Sequence, residues 1–192
     1  METVRAFVGI PLPESCQIIV GELGRRLGSL ARGPLSATRR GNAHLTLKFL
    51  GDVPENAPTG IAAVREALSG VRVAPFRLRL AGGGFFPDIA RPRVVWAGLA
   101  EGAGPCRFLA AAVEQALTPL GFPRESRPFT AHLTLARIRD PGRGGDWPAM
   151  LRLLSDTSWP EVTVSGFTLF RSALAAGGPR YEILSSFAAG IG

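Results

Sequence analysis

The sequence holds two histidines, and both sit in the tetrapeptide His-Leu-Thr-Leu: His44-Leu45-Thr46-Leu47 and, 88 residues later, His132-Leu133-Thr134-Leu135. Extended backbone alternates its side chains, so each copy offers an imidazole and a hydroxyl on one face and two leucines to a core on the other. Histidine exchanges protons near neutrality because its ordinary pKa is about 6.5. Two such strands facing each other across a groove supply what in-line displacement at phosphorus needs. One imidazole takes a proton from the attacking water, and the other protonates the departing oxygen. The threonine hydroxyls can donate to the non-bridging oxygens, where charge grows in the transition state. A zinc centre fits less well, since no third histidine exists and no carboxylate stands immediately beside either tetrapeptide. The pattern points to a metal-free phosphodiesterase, with no cofactor expected. Gly82-Gly83-Gly84 and Glu101-Gly102-Ala103-Gly104-Pro105 lack the spacing of phosphate-cradling loops, and no G-x-S-x-G elbow is present.

The elements that must hold these residues follow from periodicity. Val4–Ile10 reads as a buried strand, and Glu14–Leu30 as a helix with apolar positions at near-3.6 spacing that stops at Gly33-Pro34. Leu45–Leu50 is predicted as a strand, Gly51-Asp52 as a turn and Pro54–Leu68 as a helix. Phe76–Leu80 alternates at period 2 and is predicted to end in a loop at Gly82–Gly84. Arg93–Leu99 is the next expected strand, Pro105–Leu120 a helix, Ala131–Ile138 a strand and Trp147–Leu154 a short helix. Val162–Phe170 and Tyr181–Phe187 close the chain as strands. The order of the first half repeats in the second, as the histidine motif does. The expectation is an α+β, bilobal duplicated fold. It has two mostly antiparallel sheets, helices on their outer faces and a central cleft. It forms one domain of two pseudo-symmetric lobes, with repeat units of roughly 1–90 and 91–192.

Composition sets the outer limits. With 192 residues, 46% hydrophobic and 19% charged, the chain is long enough to bury a core and too apolar for disorder. Twenty-two basic against 15 acidic residues give a net charge of +7, compatible with anionic partners. Lys48 is the only lysine, and the many Arg, Gly, Pro and Ala residues fit a GC-rich genome, which itself accounts for much of the basic balance. Cys16 and Cys106 are too far apart for a metal knuckle and are expected to be reduced and buried. No secretory signal is apparent and no apolar run approaches the roughly 18 residues of a membrane span. A cytoplasmic monomer without membrane contact is expected.

The segments His44-Leu45-Thr46-Leu47-Lys48-Phe49-Leu50-Gly51 and Arg127-Pro128-Phe129-Thr130-Ala131-His132-Leu133-Thr134-Leu135-Ala136-Arg137 resemble the two H-x-T-x motifs of the two-histidine (2H) phosphoesterases. Within that superfamily the chain is similar to the LigT-like RNA 2′,3′-cyclic phosphodiesterases, formerly called 2′-5′ RNA ligases. Arg5–Ile10, Pro92–Trp96 and Gly178–Glu182 extend the resemblance over nearly the whole chain. The resemblance implies a cleft between lobes and an RNA partner ending in a 2′,3′-cyclic phosphate, hydrolysed to a 2′-phosphomonoester. It makes His44 the proton donor and His132 the proton acceptor. Thr46, Thr134 and Arg137 then bind the phosphate. Simple alternation puts Arg137 on the Leu133 face, so its role requires a bulge or a strand end. Two departures from the family pattern are Ala37-Thr38, where Trp-Val is usual, and Ala131, where proline commonly precedes the second histidine. Alternative readings are an RNA-binding module without catalysis, or a 2H enzyme acting on small cyclic nucleotides or on 2′-5′ linkages, including reversible 2′-5′ ligation.

Overall fold

The computed structural model describes residues 2–175 and 178–190. The strands are β1 (Thr3–Pro11), β2 (Leu35–Ala37), β3 (His44–Pro54), β4 (Phe76–Phe86), β5 (Val94–Glu101), β6 (Leu133–Ile138), β7 (Glu161–Val164), β8 (Gly166–Ala175) and β9 (Gly178–Ala188). The helices are α1 (Glu14–Leu30), α2 (Ile61–Ser69), α3 (Ala103–Leu117) and α4 (Trp147–Asp156). Every strand pair is antiparallel, and the order is β7-β4-β5-β6-β3-β1-β8-β9, with β2 on the free part of β6. The middle of this order is thin. β3 and β6 share the single register pair Leu45↔Leu133, so two four-stranded ladders meet at the two His-Leu-Thr-Leu segments.

The repeat is visible in the pairing: β6-β5-β4 in one ladder matches β3-β1-β8 in the other. The lobes, however, are not the sequence halves expected from the repeat. β4 of the first half pairs with β5 of the second, and β8 of the second pairs with β1 of the first. The helices after the first strand of each unit cross likewise, α1 packing against β2, β6 and α4, and α3 against β3 and α2. Units of about 1–90 and 91–192 thus exchange a helix and a strand, and one hydrophobic core runs through both lobes.

Other differences have local causes. β3 runs through Gly51-Asp52 to Pro54 because β1 continues to pair with it, Val4 against Val53, and α2 begins only at Ile61. The Gly82–Gly84 segment is strand, not loop. A Cβ on Gly83 would lie 2.1 Å from the Trp96 carbonyl oxygen, so glycine permits the close β4–β5 approach. Val162–Phe170 breaks at Ser165, where the chain passes from one end of the strand order to the other ladder. Cys16 and Cys106 are free and buried, and burial pushes the Cys106 thiol up to about 12.

Candidate active site

β3 and β6 lie side by side only at Leu45 and Leu133, whose side chains are buried. Continuing that antiparallel register by one residue each way sets His44 opposite Thr134 and Thr46 opposite His132. Beyond it the strands part, because β2 takes over the edge of β6: Ala37 pairs with Ala136 and Leu35 with Ile138. Thr38 completes the wedge, its N–H donating to the Leu135 carbonyl and its hydroxyl to the Thr134 carbonyl, both at 2.8 Å. The Ala37-Thr38 departure noted in the sequence therefore falls on the cleft floor.

Both imidazoles are oriented in the same way. His44 Nδ1 lies 2.7 Å from the Asn42 carbonyl oxygen and His132 Nδ1 lies 2.8 Å from that of Thr130. A carbonyl only accepts, so Nδ1 carries the proton in each ring and Nε2 is left to titrate. His44 Nε2 is 3.0 Å from Thr46 Oγ1 and, when neutral, accepts from it. His44 sits among Phe7, Tyr181 and Phe170, with ring centroids at 4.7, 5.1 and 5.9 Å. His132 sits against Phe86 at 5.0 Å and Trp96 at 6.3 Å. Burial lowers the pKa of both histidines, and the carbonyls at Nδ1 oppose that shift. Charge lowers them further: that of His132 acts on His44, and that of Arg137 acts on His132.

The bulge that Arg137 requires is present. Trp96 pairs with Thr134 and Val95 with Ala136, so Leu135 is an extra residue on β6. Leu135 and Ala136 are both buried, and Arg137 emerges exposed. The first motif repeats the device: Gly9 pairs with Thr46 and Val8 with Lys48, Leu47 is the extra residue, and Phe49 emerges where Arg137 does in the second motif. His44, Thr46, Phe49, Thr134, Arg137 and Tyr181 all line one cavity of about 850 Å³. His132 is outside that lining, but its charge reaches His44 and it feels Arg137. Burial raises the pKa of the Tyr181 phenol, against the opposing charges of Arg137 and Arg5, so its hydroxyl stays a donor at neutral pH. No group of three or more His, Cys, Asp or Glu side chains arranged to hold a metal ion occurs among the described residues.

Several supporting residues had no role assigned from the sequence. Gln17 on α1 is 6% exposed and commits its whole amide: Nε2 donates to the Leu12 and Ala43 carbonyls, and Oε1 accepts from the Gly41 and Ala43 N–H groups. It clamps the segment whose Asn42 carbonyl orients His44. Lys48 is buried and donates to Glu114 Oε1 at 3.1 Å and to the Pro123 carbonyl at 2.8 Å, tying the first motif to the segment that leads to the second. The aromatic walls come from four strands, Phe7 from β1, Phe86 and Trp96 from the neighbouring β4 and β5, and Tyr181, the chain's only tyrosine, from β9.

Comparison with known proteins agrees with this geometry. The sequence model of the 2′-5′ RNA ligase superfamily matches residues 22–175. A protein of Aeropyrum pernix called RNA 2′,3′-cyclic phosphodiesterase is 39% identical over 86% of this chain and 94% of its own. Its namesake in Archaeoglobus fulgidus is 34% identical over 96% and 99%. Among solved structures, E. coli LigT complexed with 3′-AMP superposes with a TM-score of 0.74 at 26% identity, covering 98% of this chain and 99% of LigT. A structure from Thermus thermophilus gives 0.70 at 31% identity over 96% and 97%. With its duplicated His-Leu-Thr-Leu strands, its LigT-like fold and these relatives, the chain belongs to the 2′-5′ RNA ligase superfamily of two-histidine phosphoesterases.

Proposed function

We propose that the protein hydrolyses RNA 2′,3′-cyclic phosphate ends to 2′-phosphomonoesters by general acid–base catalysis between His44 and His132, without a metal or other cofactor. The observation that carries this reading is the matched setting of the two imidazoles, each with Nδ1 committed to a carbonyl two residues back. In the reaction, neutral His132 accepts through Nε2 a proton from water as the water oxygen bonds to phosphorus. The bond from phosphorus to O3′ breaks, and protonated His44 gives its Nε2 proton to O3′. The phosphate stays on O2′, and proton exchange with solvent resets both rings. Thr46 and Thr134 donate to the non-bridging oxygens, and Arg137 supplies positive charge beside them. Exposed Phe49 offers an aromatic face to the terminal base.

The relatives named as RNA 2′,3′-cyclic phosphodiesterases support the same substrate. No helix among the described residues is long and apolar enough to cross a membrane. On this reading the protein acts as a single-domain monomer in the cytoplasm. The test is incubation with an oligoribonucleotide ending in a 2′,3′-cyclic phosphate, in EDTA, followed by identification of the hydroxyl that keeps the phosphate. A 2′-phosphate is expected. A 3′-phosphate, or activity that disappears in EDTA and returns with a divalent metal, overturns the assignment.

A further inference from the structure

The cavity that holds the histidine–threonine face is lined by four arginines, Arg39, Arg93, Arg137 and Arg139, and by no aspartate or glutamate. None of the four belongs to the ion pairs found among the described residues, although Arg40, next to Arg39, is paired with Glu14. Arg137 is the one whose charge reaches His132. Arg93 and Arg139 lie farther along the same groove. The Ile138 N–H donates to the Arg93 carbonyl, so Arg93 stands across from Ile138, between Arg137 and Arg139 in register. Arg139 is two residues beyond Arg137, roughly 7 Å along extended backbone. Its Nε–H donates to Ser36 Oγ on β2 at 2.8 Å, which orients the guanidinium while leaving its other N–H donors uncommitted among the described residues. Arg39 lies elsewhere, near Gly178 at the start of β9.

Two exposed arginines, one just before β5 and one just after β6, one of them oriented by a hydroxyl and neither facing a carboxylate in the groove, are arranged to hold an anion. We propose that Arg93 and Arg139 form a second anion subsite, one nucleotide step from the scissile phosphate, that takes the phosphate on O5′ of the terminal nucleotide. This rests on the function proposed above. A 2′,3′-cyclic phosphate is by its chemistry a 3′ end, so the only neighbouring phosphate is the one on O5′. It is either an internal phosphodiester or the 5′-phosphate of a lone nucleotide. The site is then built for an end that carries two phosphate groups, and a cyclic nucleoside phosphate without a 5′ anion leaves the subsite empty.

The experiment compares kcat/KM on four substrates. They are a nucleoside 2′,3′-cyclic phosphate, the same with a 5′-phosphate, a dinucleotide with a cyclic end, and that dinucleotide with a neutral methylphosphonate linkage. The dinucleotide should exceed the plain nucleoside by roughly 10- to 100-fold, the worth of charge-assisted contacts to one phosphate, and the methylphosphonate should lose that advantage. An advantage for the 5′-phosphorylated nucleoside equal to that of the dinucleotide assigns the subsite to any O5′ phosphate. A smaller one assigns it to the diester. In Arg93→Gln and Arg139→Gln the ratio of dinucleotide to nucleoside should fall through KM, with part of it kept in the Lys variants. The salt slope for the dinucleotide should flatten by about 0.7 per lost contact. Equal rates for charged and neutral linkages, or a Gln variant that lowers all four substrates alike, overturn the subsite. Binding of dinucleotides bearing a 2′-phosphate end, measured by calorimetry, separates the two proposals. If nothing cyclic is hydrolysed but the charged linkage still binds tighter than the neutral one and Arg93→Gln abolishes the difference, the subsite stands and the proposed reaction falls.

Discussion

In the proposed reaction each imidazole has to be in the opposite protonation state from the other, and both are pushed toward neutrality in the free protein. His132, as base, is neutral above its lowered pKa. His44, as acid, is protonated only below its own. The kcat/KM profile is therefore expected to be bell-shaped with its maximum below the ordinary histidine value of about 6.5, its limbs belonging to the coupled pair. A bound anionic phosphate opposes the shift, so the kcat profile should lie at higher pH than that of kcat/KM. Arg137→Met should raise the kcat/KM bell while weakening substrate binding. A profile that climbs to a plateau with no alkaline limb up to about pH 10 removes the donor role from His44. Replacing either histidine by alanine should lower kcat by roughly 10² to 10⁴. The double variant should lose less than the product of the two, because both groups act on one transition state. Full activity in His44→Ala alongside a dead His132→Ala contradicts the paired mechanism. Thr46→Val and Thr134→Val remove one donor each and should cost about 10- to 10³-fold, read as kcat rather than KM. Normal kinetics in both would make them ordinary strand residues.

The motif strands work because of what bends and clamps them. Alternation within His-Leu-Thr-Leu was legible in the sequence, since leucine and polar residues trade places at period 2. The bulge at Leu47 was not, and the one at Leu135 was called for only by the role that the family resemblance gives Arg137, because a buried Leu-Lys or Leu-Ala pair leaves no distinctive mark in composition. Yet it is the bulge that turns Phe49 and Arg137 toward the cavity. Likewise β2 is three residues beside Pro34, too short for any periodic signal, and it opens the cleft by taking the edge of β6. Gln17 falls inside the helix predicted over Glu14–Leu30, where one polar residue among apolar positions carries no mark of its role. Its buried amide holds Gly41 and Ala43, and with them the Asn42 carbonyl on His44. Gln17→Leu takes the acceptor from the Gly41 N–H and from the buried Ala43 N–H and lets the carbonyl drift. We expect kcat to fall by about 10², the cost of a misplaced catalytic group, with KM little changed. The alkaline limb should move to lower pH, because the carbonyl that favours protonated His44 is weakened. A loss of melting temperature with an unshifted pH profile would assign Gln17 to stability alone. Gly9 acts on the same ring from β1: a Cβ there would lie 3.2 Å from His44 Cδ2 and 2.9 Å from the Leu45 carbonyl oxygen. Gly9→Ala should therefore displace His44 and lower kcat.

At the scale of the whole chain, duplication was readable from the 88-residue spacing of the two motifs, but the way the copies assemble was not. Periodicity reports which face of an element is buried and says nothing about which copy buries it. Here β4 joins the ladder of β5 and β6 while β8 joins that of β1 and β3, and α1 covers β6 while α3 covers β3. Residues 1–90 alone would leave β4 without β5 or β7, β1 without β8 and the apolar face of α1 without β6 and α4. A fragment with so much unpaired edge and uncovered apolar surface cannot offset its chain entropy. We expect fragments 1–90 and 91–192 each to lack a cooperative thermal transition by circular dichroism. Mixed at equal concentration, they should recover native-like dichroism and share one transition whose midpoint rises with concentration, as association requires. His44 arrives on one fragment and His132 on the other, so activity should appear only in the mixture, in proportion to the complex formed. An independently folded 1–90 fragment with its own sharp transition would mean that the lobes close within each half, and the exchanged strands would then not be what binds the two motifs into one site.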